Sequence, residues 1–131
     1  LTSSTTLQND DALIISLGAN DAVEFSGMMF ATSTSATPDL KVAFTVPTGA
    51  TIRWFGEWFG ESYVSSGLIT ASGTASPVFP IAANGVGLFK FNGIVTNGST
   101  AGNLQFQWAQ NTSNSNAVTV QQRSFLIGSK F

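Results

Sequence analysis

Apolar and polar residues alternate most regularly over residues 103–112, N-L-Q-F-Q-W-A-Q-N-T. Leu104, Phe106 and Trp108 fall on one side of an extended chain, and Gln105, Gln107 and the small Ala109 fall on the other. This pattern predicts a core strand of an antiparallel sheet with one buried and one wet side. The same reading predicts strands over 12–17, 22–30, 40–46, 51–59 and 86–95, with two short ones over 117–121 and 124–127. In 40–46, Leu40, Val42, Phe44 and Val46 point inward, while Lys41, Ala43 and Thr45 point outward. In 86–95, Phe89, Phe91 and Val95 alternate with Leu88, Lys90 and Asn92.

Between these runs lie the residues that turn a chain: Asn9-Asp10-Asp11, Gly18-Ala19-Asn20-Asp21, Pro47-Thr48-Gly49 and Asn84-Gly85. Asn97-Gly98, between the last long strand and residues 103–112, predicts a hairpin. Residues 60–80 are rich in Gly, Ser, Thr and Pro and have room for one or two short strands near 67–71 and 77–81. No stretch has helical periodicity, and no repeat occurs. About eight short strands at regular spacing predict an all-β antiparallel β-sandwich, a jelly roll with an immunoglobulin-like sandwich as the alternative. The Ser/Thr-rich start, residues 1–11, reads as an N-terminal arm or leader, and 12–131 as one domain. A chain of 131 residues removes roughly two-thirds of its unfolded surface from water on folding, enough for a core without staples.

Composition narrows the chemistry. There is no cysteine, hence no disulfide or thiolate, and no histidine, so the commonest general base and any Ser-His-Asp triad are missing. Charged residues are only 9 % of the chain, seven acids against five bases, too few basic groups to grip a phosphate backbone. Nucleic acid is therefore not an expected partner, and no apolar run reaches the ~20 residues of a membrane span. Glu57 and Glu61 lie about 13 Å apart on an extended chain, wider than glycosidase geometry allows. Asp10, Asp11 and Asp21 sit where turns favour Asp, without the spacing of a calcium loop. Asn97-Gly98-Ser99 and Asn111-Thr112-Ser113 match the glycosylation pattern but read better as turns. No enzymatic activity, cofactor or metal is expected.

One segment stands out. Trp54, Phe55, Trp58 and Phe59, followed by Tyr63, cannot all enter one core, because alternation sends Phe55 and Phe59 the opposite way from Trp54 and Trp58. The second face is covered by residues 60–80, or it forms a subunit interface, or it is a platform on which sugar rings stack.

The order of motifs resembles a family of small β domains from the virions of tailed bacteriophages. The likeness runs from T-T-L-Q-N-D-D-A-L (5–13) and G-A-N-D-A-V-E-F (18–25) through P-D-L-K-V-A-F-T-V-P-T-G-A-T (38–51). It continues in G-I-V-T-N-G-S-T-A-G-N-L-Q-F-Q-W-A-Q-N-T-S-N (93–114) and V-Q-Q-R-S-F-L (120–126), while residues 54–92 depart from it. The resemblance implies a jelly roll similar to the tumour-necrosis-factor and C1q type and a structural protein of the virion surface, in capsid decoration or in a fibre, spike or tail. It further implies a homotrimer packed against other virion proteins, with the Trp54, Phe55, Trp58, Phe59 and Tyr63 aromatics near the three-fold axis and the arm reaching a neighbour. A receptor-binding knob that stacks host surface glycans on Trp58, Phe59 or Tyr63 is the alternative.

Overall fold

A computed structural model describes all 131 residues, Leu1–Phe131. Nine strands form: β1 (Gln8–Leu17), β2 (Ala22–Ser33), β3 (Leu40–Thr45), β4 (Thr51–Phe59), β5 (Tyr63–Ser65), β6 (Gly85–Thr96), β7 (Gly102–Gln110), β8 (Val118–Val120) and β9 (Phe125–Lys130). They make two antiparallel sheets packed face to face, a β-sandwich. The smaller sheet has the order β1-β7-β3, and the larger has the order β5-β4-β6-β2-β8, with β9 also on β2.

β8 and β9 lie end to end along the free edge of β2, one on Ala31–Ser33 and the other on Val23–Met28. The interruption between them contains Arg123 in the left-handed region, at φ 71°, and Ser124 Oγ there accepts the Phe30 amide at 3.0 Å.

The interior is built from inward positions of both sheets, as alternation predicts for two layers that each bury one side. Phe44 of β3 is its centre. Its ring lies 5.1–5.3 Å from those of Phe25, Trp54, Phe91 and Phe106, three of them on the opposite sheet. Trp58 stacks on Phe79 at 5.3 Å and donates its indole N–H to Pro80 O at 2.8 Å. So large a set of rings fits because facing positions are empty of side chains. A Cβ on Gly87 would collide with the Trp58 ring, and one on Gly93 with Phe25.

Residues 60–80 run along sheet edges. Ile69 exchanges backbone hydrogen bonds with Trp54 on the edge of β4 (3.0 and 2.8 Å), then Gly73, Ser76 and Phe79 bond to Phe44, Val42 and Leu40 on the edge of β3. The short strands expected near 67–71 and 77–81 are single bridges at Ile69 and Phe79, with a true strand only at Tyr63–Ser65. An open β3 edge would offer unpaired backbone groups to any extended chain, and this segment closes it.

Four local expectations need correction. Asn97-Gly98 makes no hairpin, because β6 and β7 belong to different sheets. A two-residue Asn-Gly turn needs positive φ at both residues, and neither has it. Asn97 is instead a buried corner post: its Nδ2 donates to Gly18 O (2.8 Å) and Thr100 O (2.9 Å), which also closes it to glycosylation in the folded chain.

On β7, Gln105 and Ala109 are buried rather than wet. β1 bulges between Asn9 and Ile14, and Gln105 Nε2 donates to Asp10 O beneath that bulge at 2.8 Å. Ala43 of β3, expected outside, is buried as well; it and Ala109 lie in register with the long side chains of Gln107 and Lys41. Trp108 is only half-buried, its indole N–H reaching Asp10 Oδ2 at 3.2 Å.

The N-terminal residues are tied to their own chain. Leu1 and Val118 exchange backbone hydrogen bonds (2.9 and 3.0 Å), Ser3 N donates to Asn114 O, and strand β1 already begins at Gln8.

Candidate interaction face

Strand β4 follows the alternation of Thr51–Phe59, which contains no Pro and runs up to Gly60; its one internal glycine, Gly56, is buried where a Cβ would collide with the Phe89 ring. Its two phases separate as alternation requires. Ile52, Trp54 and Trp58 are buried, whereas Arg53, Phe55 and Phe59 are exposed. Trp54 and Trp58 therefore leave the set of candidate surface residues: at 0 % exposure they belong to the core and can neither meet a partner nor stack a sugar. Phe55, Phe59 and Tyr63 remain, 50 %, 47 % and 58 % exposed, so residues 60–80 do not cover them.

Sheet register extends these three into a larger surface. Reading across the outer side of the six-stranded sheet, Tyr63, Phe59, Leu88 and Phe30 stand in one line over β5, β4, β6 and β2. The next line holds Glu57, Lys90, Met28 and Phe125, and the one after it Phe55, Asn92, Ser26 and Ile127. A fourth holds Arg53, Ile94, Glu24 and Ser129. Leu88, Ile94, Met28, Phe30, Phe125 and Ile127 escaped the sequence reading. The available signal was that they are apolar residues at the positions where alternation calls for polar ones.

The face is electrically balanced, with Glu24 and Glu57 against Arg53 and Lys90. The side chains of Glu24, Arg53 and Lys90 make no hydrogen bond or ion pair; the chain's ion pair is Lys130 to Asp21, at 3.2 Å, elsewhere. Glu57 accepts the Tyr63 hydroxyl at 2.8 Å, and the Phe59 and Tyr63 rings meet at 5.5 Å. That hydrogen bond to a carboxylate pushes the phenol above its ordinary pKa, since losing its proton would set two anions side by side. Tyr63 is the sole tyrosine, so an ultraviolet titration reads it alone. Its midpoint is expected above the usual value near 10 and is expected to fall toward it in Glu57→Gln; an unshifted midpoint in both proteins would remove the contact.

A shallow hollow of about 280 Å³ lies on the same face, bounded by Glu24, Arg53, Phe55, Leu68, Asn92, Gly93 and Ile94. Its walls are mostly apolar, with three uncommitted polar side chains at the rim.

Glu57 is engaged by Tyr63, β4 ends at Phe59 before Glu61 is reached, and neither carboxylate lines a hollow. Asp10 serves the bulge of β1 and Asp21 the turn at Gly18. Asp10 Oδ1 accepts the Ala12 and Leu13 amides, and Asp21 Oδ2 accepts that of Gly18 at 2.7 Å. The Gly18 amide, then Lys130, hold the Asp21 carboxyl below its usual range. No three His, Cys, Asp or Glu side chains gather as metal ligands would, and no helix is long and apolar enough to cross a membrane.

Fold and face together define an all-β sandwich with an apolar outer sheet surface. Comparisons of the chain with protein-family models, with curated proteins and with solved structures find no match.

Proposed function

We propose that this protein is a non-enzymatic structural protein that works by assembly, packing against copies of itself and against other proteins of a bacteriophage virion surface. The observation that carries the assembly reading is the outer face of the six-stranded sheet, where a line of Tyr63, Phe59, Leu88 and Phe30 and the exposed Phe55, Ile94, Phe125 and Ile127 share one surface. A chain that works alone gains nothing from apolar residues at the wet positions of five strands of one sheet, and loses solubility. The virion setting is supported by the motif order over residues 5–51 and 93–126 and by a surface whose polarity comes from Ser, Thr, Asn and Gln more than from charge.

Light scattering of the purified protein at micromolar concentration tests this reading. An oligomer is expected, and replacing Phe55, Phe59 and Tyr63 together by Ser is expected to yield monomers that still unfold cooperatively. A wild-type protein that stays monomeric at ~100 μM would overturn it.

The hollow beside Phe55 favours a second reading, a module that binds host surface glycans. An apolar ring flanked by Arg53, Glu24 and Asn92 has the chemistry that sugar rings use, an apolar face to stack and hydroxyls to hydrogen-bond. Phe55→Ala abolishes glycan-array binding on that reading and leaves it unchanged otherwise.

A further inference from the structure

We infer that the primary contact in this assembly is a two-fold one, in which two copies lay the outer faces of their six-stranded sheets together about an axis running along β6. The inference rests on the assembly reading above and specifies its partner, a second copy of this chain, and its geometry.

The area is of the right order. Phe55, Phe59, Tyr63 and Phe125 are each about half exposed, which leaves on the order of 100 Å² of ring surface apiece. With Val86, Ile94 and Ile127 the patch approaches roughly 600 Å². A stable interface covers about 800 Å² on each partner, and the polar residues interleaved in the same lines supply the difference.

The charges choose both the partner and the axis. A face carrying two acids and two bases has no net charge with which to attract a charged stranger, yet it can complement itself. The line Arg53, Ile94, Glu24 is the informative one, since β6 separates the two charged residues and holds them roughly 10 Å apart, out of contact within one chain. A two-fold axis along β6 exchanges the columns on either side of it. Arg53 of each copy then faces Glu24 of the other, giving two intermolecular ion pairs, while Ile94 faces Ile94.

The apolar line also matches. Phe59 faces Phe30 and Leu88 faces Leu88, so the apolar line closes on itself. In the line of Glu57, Lys90 and Met28 the same exchange sets Lys90 opposite Lys90 and Glu57 opposite Met28, and each ammonium keeps the Glu57 of its own chain beside it in register, roughly 5 Å away across one strand. Aligned packing of sheets, rotated by about 30° and roughly 10 Å apart, leaves the strands in the orientation this exchange needs. Contacts of this kind are isologous and close after two copies, which caps the apolar face without opening a filament.

Charge reversal tests the geometry in the full chain. Arg53→Glu and Glu24→Arg are exposed substitutions, and each places two like-charged pairs in the interface because symmetry repeats it. Each is expected to raise the dimer dissociation constant at least ~100-fold in sedimentation equilibrium, with thermal unfolding of the monomer unchanged. The double variant restores opposite charges and is expected to recover the wild-type constant within about tenfold. Single reversals without effect, or a double variant no tighter than the singles, would overturn the two-fold contact. So would a wild-type trimer, and in these three cases the assembly reading survives. A monomeric wild type would remove both.

Discussion

Phe44→Ala is expected to cost about 4 kcal/mol of folding stability, the upper range for deleting a buried aromatic ring, and to lower the melting temperature by on the order of 10–15 °C for a chain of this length. The size follows from the position. Phe44 has no exposed surface and is the ring on which Phe25, Trp54, Phe91 and Phe106 converge, so its loss opens a cavity bordered by both sheets that none of these fixed strands can fill. Domains are stable by only ~5–15 kcal/mol, so the variant forfeits a large share of the total. Phe55→Ala, on the opposite phase of β4, is expected to change monomer stability by less than about 1 kcal/mol. Urea unfolding of the two variants measures the contrast, and equal losses would contradict the assignment of faces.

The second large effect is expected at a polar residue. Gln110 is fully buried at the end of β7, and its amide knits three segments together. Nε2 donates to Asn116 O (2.8 Å) and Leu1 O (3.3 Å), and Oε1 accepts the amides of Asn114 (3.0 Å) and Ser4 (3.4 Å). Gln110→Ala leaves those part-buried groups without their partner, at an expected cost of about 2–3 kcal/mol. Hydrogen exchange should accelerate first at Val118, whose amide bonds to Leu1 O, because the N-terminal residues lose their anchor. Gln107→Ala supplies the control. Its side chain bonds only to Asn9 Oδ1 at the surface, and the substitution is expected to cost less than about 0.5 kcal/mol. Comparable costs at the two glutamines would mean that Gln110 is not a hub.

These two residues mark how far a one-dimensional reading reaches. The inward phase of β3, with Phe44 at its middle, is visible as period-two alternation, and so is the division of β4 into Ile52, Trp54 and Trp58 against Arg53, Phe55 and Phe59. Gln110 was within reach as well. The same count by twos that puts Leu104 and Phe106 inside puts Gln110 inside, and only its polarity argued otherwise. Its burial is tolerated because the 111–117 loop and the N-terminal residues bring backbone partners to it, and nothing in the local pattern announces that meeting. The Asn97-Gly98 step misled for the opposite reason. It is a strong local signal for a tight turn, overridden when the chain crosses to the other sheet and the Asn side chain is used up on Gly18 and Thr100.

The candidate face divides the same way. That Phe55 and Phe59 take the opposite side from Trp54 and Trp58 could be read from the chain alone, because four large rings in six positions cannot share a side; that Phe55 and Phe59, with Tyr63, are the exposed ones was decided by the packed sandwich. Leu88, Ile94, Met28 and Ile127 became part of that surface only through the pairing of β4 with β6, β6 with β2 and β2 with β9. What the amino-acid order determined by itself was which residues extend and which side each one takes, since alternation is a property of neighbours along the chain. Which strands lie beside one another was decided in three dimensions, where rings such as Phe44 and Trp58 fit only against particular partners. That choice of neighbours turned scattered apolar residues into one continuous face.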